Sequence, residues 1–323
     1  MISLRPMTLD DLPLVRRWLD QPHVARWWLS GTTIEAELDS YARAIRGDDP
    51  TFMRIATRAG EPVGFGQWYA WRDYPKDADG VGARPGDCGI DYALGEAAVV
   101  GSGAGTELVA ALVADVRRHR PDAGIITDPE ATNHPSRRVL EKNGFTLVAE
   151  RPVPSELVDL PMAIYRLAAP GETAVRLAGV ADAAALAALR AEWSTGSADV
   201  DAAFVEQFEN WLRAEGDRRV TWIGDADGAV VGMLNLSVFR RMPKPGRPDG
   251  APGTSWGYVS NVYVRPAQRR GGLGTLLVAE AVRYARAFGM ARLVLNPSDE
   301  AAPLYARAGF VSASELMMLD LGG

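Results

Sequence analysis

The feature that most limits the fold of this chain is an internal repeat with a period of about 170 residues. A glycine-rich turn at Gly103–Thr106 is echoed at Gly272–Thr275, and each turn opens an apolar stretch. Two further pairs keep the same order and nearly the same spacing: Asn143–Phe145 with Ala308–Phe310, and Glu61–Gly64 with Ala229–Gly232. Solenoid repeats run about 20–50 residues, so this longer period indicates a duplicated domain.

The join between the two copies is near Ala168–Glu172, where Pro170 and Gly171 interrupt both helix and strand. We therefore predict an N-terminal domain of residues 1–169 and a C-terminal domain of residues 170–323. Each has a length at which a domain usually buries its own core, about 100–200 residues.

Within each half, the apolar pattern predicts a strand, helices, a hairpin, a longer strand, the glycine-rich turn, a helix, a strand, a short helix and a strand. This order is a mixed α/β (α+β) fold. The first half contains, after the opening strand and helices, elements at Phe52–Thr57, Val63–Trp71, Gly89–Leu94, Thr106–His119, Gly124–Thr127 and Ser136–Asn143. The second half contains elements at Thr221–Gly224, Val230–Phe239, Tyr258–Val264, Gly274–Phe288, Arg292–Leu295 and Pro303–Ala308.

Composition excludes several classes of protein. The net charge of -6 argues against a nucleic-acid partner, which usually requires a basic surplus. The single cysteine, Cys88, excludes an intrachain disulfide and a thiolate zinc cluster, and His23, His119 and His134 are far apart, so we predict no metal site. The N-terminus has no signal pattern and no apolar run approaches about 20 residues, so we expect a cytoplasmic protein without a membrane partner.

The turn between Val264 and Gly274 joins a predicted strand to a predicted helix. Glycines let the backbone approach a phosphate, and the unpaired N–H groups at the helix start point toward it. No Gly-Lys-Ser/Thr or Gly-x-Gly-x-x-Gly pattern is present, so neither a P-loop nor a dinucleotide fold is indicated. Taken alone, the glycines fit a plain strand–helix turn equally well.

The series Arg269-x-x-Gly272-x-Gly274, followed by Leu304–Phe310, resembles the pyrophosphate motif and closing helix of GNAT acetyltransferases. The resemblance covers both halves. It implies two tandem GNAT domains, each a mixed, mostly antiparallel sheet flanked by helices, with acetyl-CoA as co-substrate. The positions implied for acetyl-CoA are Val262, Val264, Arg269, Arg270, Gly271, Gly272, Gly274 and Thr275 in the second half, and Gly101, Gly103, Gly105 and Thr106 in the first.

The resemblance also implies the mechanism. The acceptor amine attacks the thioester directly, after a base has removed its proton, backbone N–H groups stabilise the oxyanion, and an acid protonates the departing thiolate. Tyr305 is at the position of the family's general-acid tyrosine, although an aromatic residue packed on the sheet would look the same. The second half shows no obvious carboxylate base on Tyr258–Val264.

The first half is similar to aminoglycoside 6′-N-acetyltransferases, through Trp27-Trp28, Gly64–Tyr69, Gly89–Asp91, Thr127–Pro129 and Glu141–Phe145. By that resemblance Asp91 is the strand aspartate that binds and deprotonates the acceptor, Asp128 is a second substrate-binding aspartate, and Trp28 and Trp68 contact substrate. Strand alternation places Asp91 opposite to Ile90 and Tyr92 and so toward the cleft, unless it is a polar residue on an outer face. Further acids fall between Trp71 and Gly89, where they are either substrate contacts or solvated surface: Asp73, Asp77, Asp79 and Asp87.

The first half also departs from the family pattern. Val100 replaces the arginine seen at Arg269, and Leu140 replaces the tyrosine seen at Tyr305. Asn133–Lys142 instead resembles ribosomal-protein N-terminal acetyltransferases, in which a serine at the place of Ser136 assists the leaving thiolate. Ser136 is equally suited to the first turn of a helix.

The leading hypothesis is an N-acetyltransferase that acts on a primary amine of a small molecule, with an aminoglycoside-like polyamine as the first candidate. One alternative is another metabolite amine acetylated in the second half, with a degenerate first domain. A second alternative is a CoA-binding scaffold or sensor without turnover, which Val100 and Leu140 in the first half and the missing base in the second half would suggest. We expect a monomer or a homodimer.

Overall fold

The computed structural model describes residues 1–154, 160–246, 248 and 250–313. The chain divides into two compact units, the first built mainly from Met1–Leu177 and the second mainly from the residues after it. In the described residues, no helix is both long enough and apolar enough to cross a bilayer. The predicted mixed α/β architecture is confirmed in both units.

The first unit is built on a seven-stranded sheet in the order β1-β2-β3-β4-β5-β7-β6. Its strands are antiparallel except for the β4–β5 pair. The strands are β1 Ile2–Pro6, β2 Phe52–Arg58, β3 Glu61–Ala70, β4 Cys88–Leu94, β5 Ile125–Thr127, β6 Thr146–Pro152 and β7 Pro161–Leu167. The helices are α1 Leu12–Leu19, α2 Pro22–Trp28, α3 Ile34–Arg46, α4 Pro75–Val81, α5 Ala104–His119 and α6 His134–Lys142.

Local sequence signals account for several helix ends. The backbone N–H of Thr8 donates to Asp11 Oδ2 at 2.8 Å, so the capping-box spacing in the sequence forms the expected contact ahead of α1. Thr33 caps α3 by accepting from the Ala36 N–H at 3.2 Å, and Gly47 ends that helix in the left-handed conformation. Helix α4 was not predicted, because its sequence Pro-Lys-Asp-Ala-Asp-Gly-Val has no apolar periodicity.

Two apolar layers cover opposite faces of the first sheet. One layer packs α1, α2 and α3 against Phe65 and Ile55. The other layer packs α5 and α6 against Ile90 and Trp68. Because side chains alternate along a strand, β3 presents Phe65 to one layer and Trp68 to the other, and the sheet becomes the middle of a three-layer domain.

The parallel strands β4 and β5 pair only briefly. Cys88 pairs with Ile125 and Gly89 with Ile126, and no further β4–β5 pair follows among the described residues. From Ile90 to Leu94, β4 is held by β3 alone, so its other edge offers backbone N–H and C=O groups to an extended ligand.

The second half of the chain repeats this plan around a five-stranded sheet in the order β12-β11-β10-β9-β8. Its strands are β8 Ala174–Leu177, β9 Arg219–Ala226, β10 Ala229–Arg240, β11 Ser255–Val264 and β12 Leu293–Val294. Its helices are α7 Ala183–Thr195, α8 Ala202–Glu215, α9 Leu273–Ala287 and α10 Ala302–Arg307. Again the parallel pair is short, joining Gly257 to Leu293 and Tyr258 to Val294.

Candidate active site

A cavity of about 390 Å³ opens on the face of the first sheet that α3 covers. Residues at positions 37, 40, 41 and 44 of α3 line it, and this spacing places them on one side of the helix. The sheet supplies Met53, Gln67, Tyr69 and Asp91, which lie side by side on neighbouring strands. The remaining lining residues are Asp49, Thr51, Trp71, Tyr74, Asp77, Val81 and Asp128.

The charge of the cavity lining is entirely negative. Its carboxylates are Glu37, Asp49, Asp77, Asp91 and Asp128, and the described lining includes no lysine or arginine. Aromatic rings line the same space and supply apolar area and cation–π faces: Tyr41, Tyr69, Trp71 and Tyr74. Such a cavity favours a ligand that carries several positive charges on a compact, partly apolar frame.

Asp91 occupies the floor of the cavity on β4. Gln67, its partner across β3 and β4, donates from Nε2 to Asp91 Oδ2 at 2.8 Å and fixes the carboxylate. Burial raises the pKa of Asp91 to about 6, the Gln67 hydrogen bond lowers it in part, and the nearby Glu37 carboxylate raises it further. A carboxylate with this pKa is better matched to accepting a proton from an amine than an exposed aspartate.

The wall contributed by α3 is held by a three-residue hydrogen-bond network. Trp28 Nε1 donates to Tyr41 Oη at 2.6 Å and to Glu37 Oε2 at 3.1 Å, and the Tyr41 hydroxyl donates to the same Glu37 oxygen at 2.7 Å. Burial raises the pKa of Tyr41 well above its ordinary value, so its hydroxyl stays a donor. Trp28 therefore orients the side chains that face the cavity, and does not itself line it.

The opposite wall comes from α4 and the residues that precede it. The Tyr74 hydroxyl donates to Asp49 Oδ1 at 2.8 Å and lies 2.7 Å from Thr51 Oγ1. Burial raises the pKa of Tyr74 to about 12. This contact ties the segment that carries Asp77 to the start of β2, so the acidic wall is attached to the sheet.

The structure separates some predicted site residues from the cavity. Trp68 faces the other side of the sheet, where its Nε1 donates to Asp115 Oδ2 at 2.9 Å and its ring stacks on Phe52 at 4.0 Å. Asp87 is buried and pairs with Arg166, which makes it a structural carboxylate. Of the acids between Trp71 and Gly89, the cavity lining contains Asp77.

Other cavity residues were absent from the sequence-based predictions. Glu37, Tyr41 and Asp49 come from segments that show no family motif, and Gln67 was part of a motif but had no assigned role. The spacing of Glu37, Ser40 and Tyr41 on one helix face was a signal available in the sequence. No signal in the sequence showed which strand that helix face would meet.

On the face of β4 opposite Asp91, Tyr92 reaches toward the start of α6. Its hydroxyl is 2.6 Å from Ser136 Oγ. Ser136 is held in the first turn of the helix, where its N–H donates to Asn133 Oδ1 at 3.2 Å. Leu140, one turn further along, is fully buried in the core and carries no polar group. The predicted site residues Asp91, on β4, and Ser136, on α6, thus lie on opposite sides of β4.

The glycine-rich turn before α5 fits an extended anionic ligand. Gly101 and Gly103 have φ of 79° and 87°, and a Cβ at either position would meet open space. Gly105 is within the first turn of α5, where a Cβ would come 3.2 Å from Val139 of α6. The N–H groups from Ala104 to Thr106 precede the first intrahelical hydrogen bond, which the Glu107 N–H makes to Gly103.

The corresponding turn in the second unit is more positively charged. Arg270 and Gly272 have φ of 66° and 88°, which turns the backbone sharply ahead of α9. Arg269 is exposed and donates from Nε to the Val264 carbonyl at 3.0 Å, so its guanidinium is held beside the turn. Gly271 and Thr275 are exposed, and Gly274 packs against Leu304 at ordinary contact distance.

The acceptor face of the second unit differs from that of the first. Asn235 and Ser260 form the cross-strand pair that corresponds to Gln67 and Asp91. The register of β10 and β11 then shifts, and Asn261 adopts a φ of 52° in the resulting bulge next to Val262. No carboxylate therefore occupies the position of Asp91.

Tyr305 of α10 is buried and contacts the Phe310 ring, with their centroids 5.9 Å apart. Burial raises the pKa of the Tyr305 hydroxyl. The environment fits both readings of this residue, an aromatic packed under the sheet and a proton donor at the end of β11.

Comparison with known proteins identifies the family. The GNAT acetyltransferase domain matches residues 8–153, and the GNAT acetyltransferase family matches residues 185–310. An aminoglycoside N(6′)-acetyltransferase type 1 from Klebsiella pneumoniae is 32% identical over 154 residues, which cover 45% of this chain and 73% of that relative. A lysine N-acyltransferase from Mycolicibacterium paratuberculosis is 25% identical over 169 residues, covering 52% of this chain and 74% of the relative.

A solved structure of aminoglycoside acetyltransferase AAC(6′)-Ib with coenzyme A and kanamycin is 30% identical in sequence to this chain. The match spans 52% of this chain and 95% of the AAC(6′)-Ib chain, with a TM-score of 0.44. The sequence matches reach into both halves of the repeat. The chain therefore belongs to the GNAT acetyltransferase family, with one acetyltransferase domain in each half and acetyl-CoA as the acetyl donor.

Proposed function

We propose that the first domain transfers an acetyl group from acetyl-CoA to a primary amine of a polycationic small molecule of the aminoglycoside type. The observation that carries this proposal is the cavity beside Asp91, with five carboxylates, four aromatic rings and no basic side chain among its described lining residues. The similarity to aminoglycoside acetyltransferases supports the same substrate class. Antibiotic modification is the biological role that would follow.

The geometry supports direct transfer of the acetyl group at β4, with acetyl-CoA along the edge of the strand and the acceptor on the face that carries Asp91. The pantetheine arm of acetyl-CoA lies along the free edge of Ile90–Leu94, and its pyrophosphate binds at the turn from Gly101 to Thr106. The acceptor enters from the acidic cavity, where Asp91 pairs with its ammonium group and accepts one proton. The neutral amine then attacks the thioester carbonyl carbon.

In the second domain, we propose that acetyl-CoA binds through the turn from Arg269 to Thr275 and along Val262 and Val264. Arg269 and Arg270 add positive charge beside the pyrophosphate. Ser260 and Asn235 leave the acceptor face without a carboxylate, so this domain would act on a different amine or retain acetyl-CoA without turnover. The two domains are therefore expected to differ in acceptor.

The test is release of free thiol from acetyl-CoA by the full chain across a panel of amines. The panel contains kanamycin-type aminoglycosides, linear polyamines, and monoamines such as glucosamine. Turnover highest with the polycationic amines supports the proposal. Turnover confined to monoamines would overturn the substrate class, and no turnover with any amine would favour a CoA-binding scaffold.

A further inference from the structure

The first domain lacks the tyrosine of α6 but has another hydroxyl at the place where β4 and β5 part. Tyr92 follows Asp91 on β4, beyond the last β4–β5 pair, and its ring packs against the core that contains Leu140. Its hydroxyl is 2.6 Å from Ser136 Oγ on α6. The two side chains therefore bridge β4 and α6 at the end of the open strand edge.

The two domains show a reciprocal exchange at these positions. In the first domain, Tyr92 and Ser136 carry hydroxyls and Leu140 carries none. By the repeat spacing, Tyr92 and Ser136 correspond to Asn261 and Ala301 in the second domain, and Leu140 corresponds to Tyr305. At these corresponding positions, the tyrosine is on the strand in the first domain and on the helix in the second.

We infer that Tyr92, acting together with Ser136, is a catalytic residue of the first domain that donates a hydrogen bond to the leaving CoA thiolate. This role rests on the proposed acetyl transfer in that domain. Within the pair, one hydroxyl donates to the other, and the oxygen that accepts keeps its own proton. When Tyr92 accepts, the Ser136 carbonyl at 3.4 Å is a long and weak partner for that proton, which a bound thioester replaces. The sulfur of a thioester bound along Ile90–Leu94 is the acceptor.

After Asp91 has taken one proton from the ammonium group, the departure of the thiolate needs no further charged side chain. As the amine nitrogen bonds to the carbonyl carbon, the C–S bond breaks and its electron pair leaves on sulfur. The hydroxyl pair stabilises that charge, and the proton lost by the new amide nitrogen ends on the sulfur as a thiol. Burial raises the pKa of Tyr92, so its hydroxyl remains protonated, and hence a donor, over the whole pH range in which the amine can react.

The experiment compares Tyr92→Phe with the wild-type full chain, using the best amine of the panel. The variant keeps the ring and removes the hydroxyl, so we expect kcat to fall by about 10²-fold with little change in KM for either substrate, as for other single donors to a developing anion. Ser136→Ala is expected to lower kcat in the same direction by a smaller factor. The thermal midpoint is measured for each variant to show that it is folded.

The matched control is Tyr165→Phe, which removes another hydrogen-bonded hydroxyl from the same core, 2.7 Å from Glu141 Oε1. Its kcat should stay close to wild type. Wild-type kcat in Tyr92→Phe, or an equal loss in Tyr165→Phe, would overturn the role of Tyr92. If polycations are inactive but another amine depends on Tyr92, the inference stands and the proposed substrate class is wrong; a wild-type chain inactive on every amine overturns both.

Discussion

The two domains share one scaffold and differ at every position where acetyl transfer needs a charged or ionisable group. The first pairs Gln67 with Asp91 beside an acidic cavity, whereas the second pairs Asn235 with Ser260 and introduces a bulge at Asn261. The first has Val100 ahead of its glycine turn, and the second has Arg269. These differences support the proposal that the first domain recognises a cationic acceptor, and that the turn of the second domain, with Arg269 beside it, holds a pyrophosphate.

The two domains have kept the residues of their shared fold and have diverged at the residues proposed to bind substrate. At Gly105 packing favours a glycine, since a Cβ there would come 3.2 Å from Val139 of the following helix, whereas a Cβ at Gly274 would meet Leu304 at an ordinary contact distance. Four measurements test how far this division of roles extends.

The largest expected effect is in Asp91→Asn. An asparagine keeps the size and can still accept from Gln67, but it cannot take a proton or pair with an ammonium group. We expect kcat/KM for a polycationic amine to fall by about 10³-fold, within the range of lost general bases. The matched control is Ser260→Ala, at the corresponding position of the second domain, which should leave this activity unchanged. An Asp91→Asn enzyme at the wild-type rate would break the comparison.

Gly272→Glu should remove acetyl-CoA binding from the second domain alone. A side chain at a φ of 88° is strained, and a carboxylate there would repel the pyrophosphate. Calorimetry of the full chain is expected to lose one class of sites, with affinity weakened by at least about 10²-fold, the effect of a few kcal/mol. Gly196→Glu, also at positive φ in open space, is the control. Unchanged stoichiometry would contradict this assignment.

Tyr305→Phe should affect only turnover by the second domain. With Asp91→Asn in the background to silence the first domain, we expect the remaining kcat to fall by about 10²-fold if Tyr305 donates a proton there. Acetyl-CoA affinity should persist because the ring is kept. Full residual activity would assign Tyr305 to packing, with Phe310 as its partner.

The smallest effect is a pH dependence that should separate the domains. Because the pKa of Asp91 is raised to about 6, kcat/KM of the first domain is expected to fall about tenfold per pH unit below that value as the carboxylate becomes protonated. The same shift has a stability consequence of opposite sign. Because the pKa of the Asp91 carboxyl is higher in the folded state, the protein loses stability as pH rises from the ordinary pKa of 3.8 through about 6.

Asp91→Asn should therefore raise the thermal midpoint at pH 7 while it removes activity. The midpoint gain should shrink as pH falls from 6 and disappear once pH is well below 3.8, where the wild-type carboxyl is neutral in both states. A wild-type activity profile that is flat between pH 5 and 7 would show that Asp91 does not titrate in this range.

Much of the fold was predictable because the motifs are local. The glycine turns, the short helices ended by Gly144 and Gly309, and the hairpins were found within a few residues of their observed bounds. The orientation of Asp91 also followed from alternation, with Ile90 and Tyr92 on the buried side. Trp68 was placed at the substrate through the family resemblance of Gly64–Tyr69, whereas strand alternation puts its ring on the other face.

The sequence by itself determined the duplication, the mixed α/β plan of each half and the positions of both glycine turns, since these depend on short-range spacing and backbone conformation. Only the tertiary structure decided that Glu37, Asp49 and Asp77 join Asp91 in one acidic cavity, and that Tyr92 meets Ser136. These residues come from segments far apart in the chain. Their proximity depends on which helix packs on which face of the sheet, and that is set by the summed burial of many side chains.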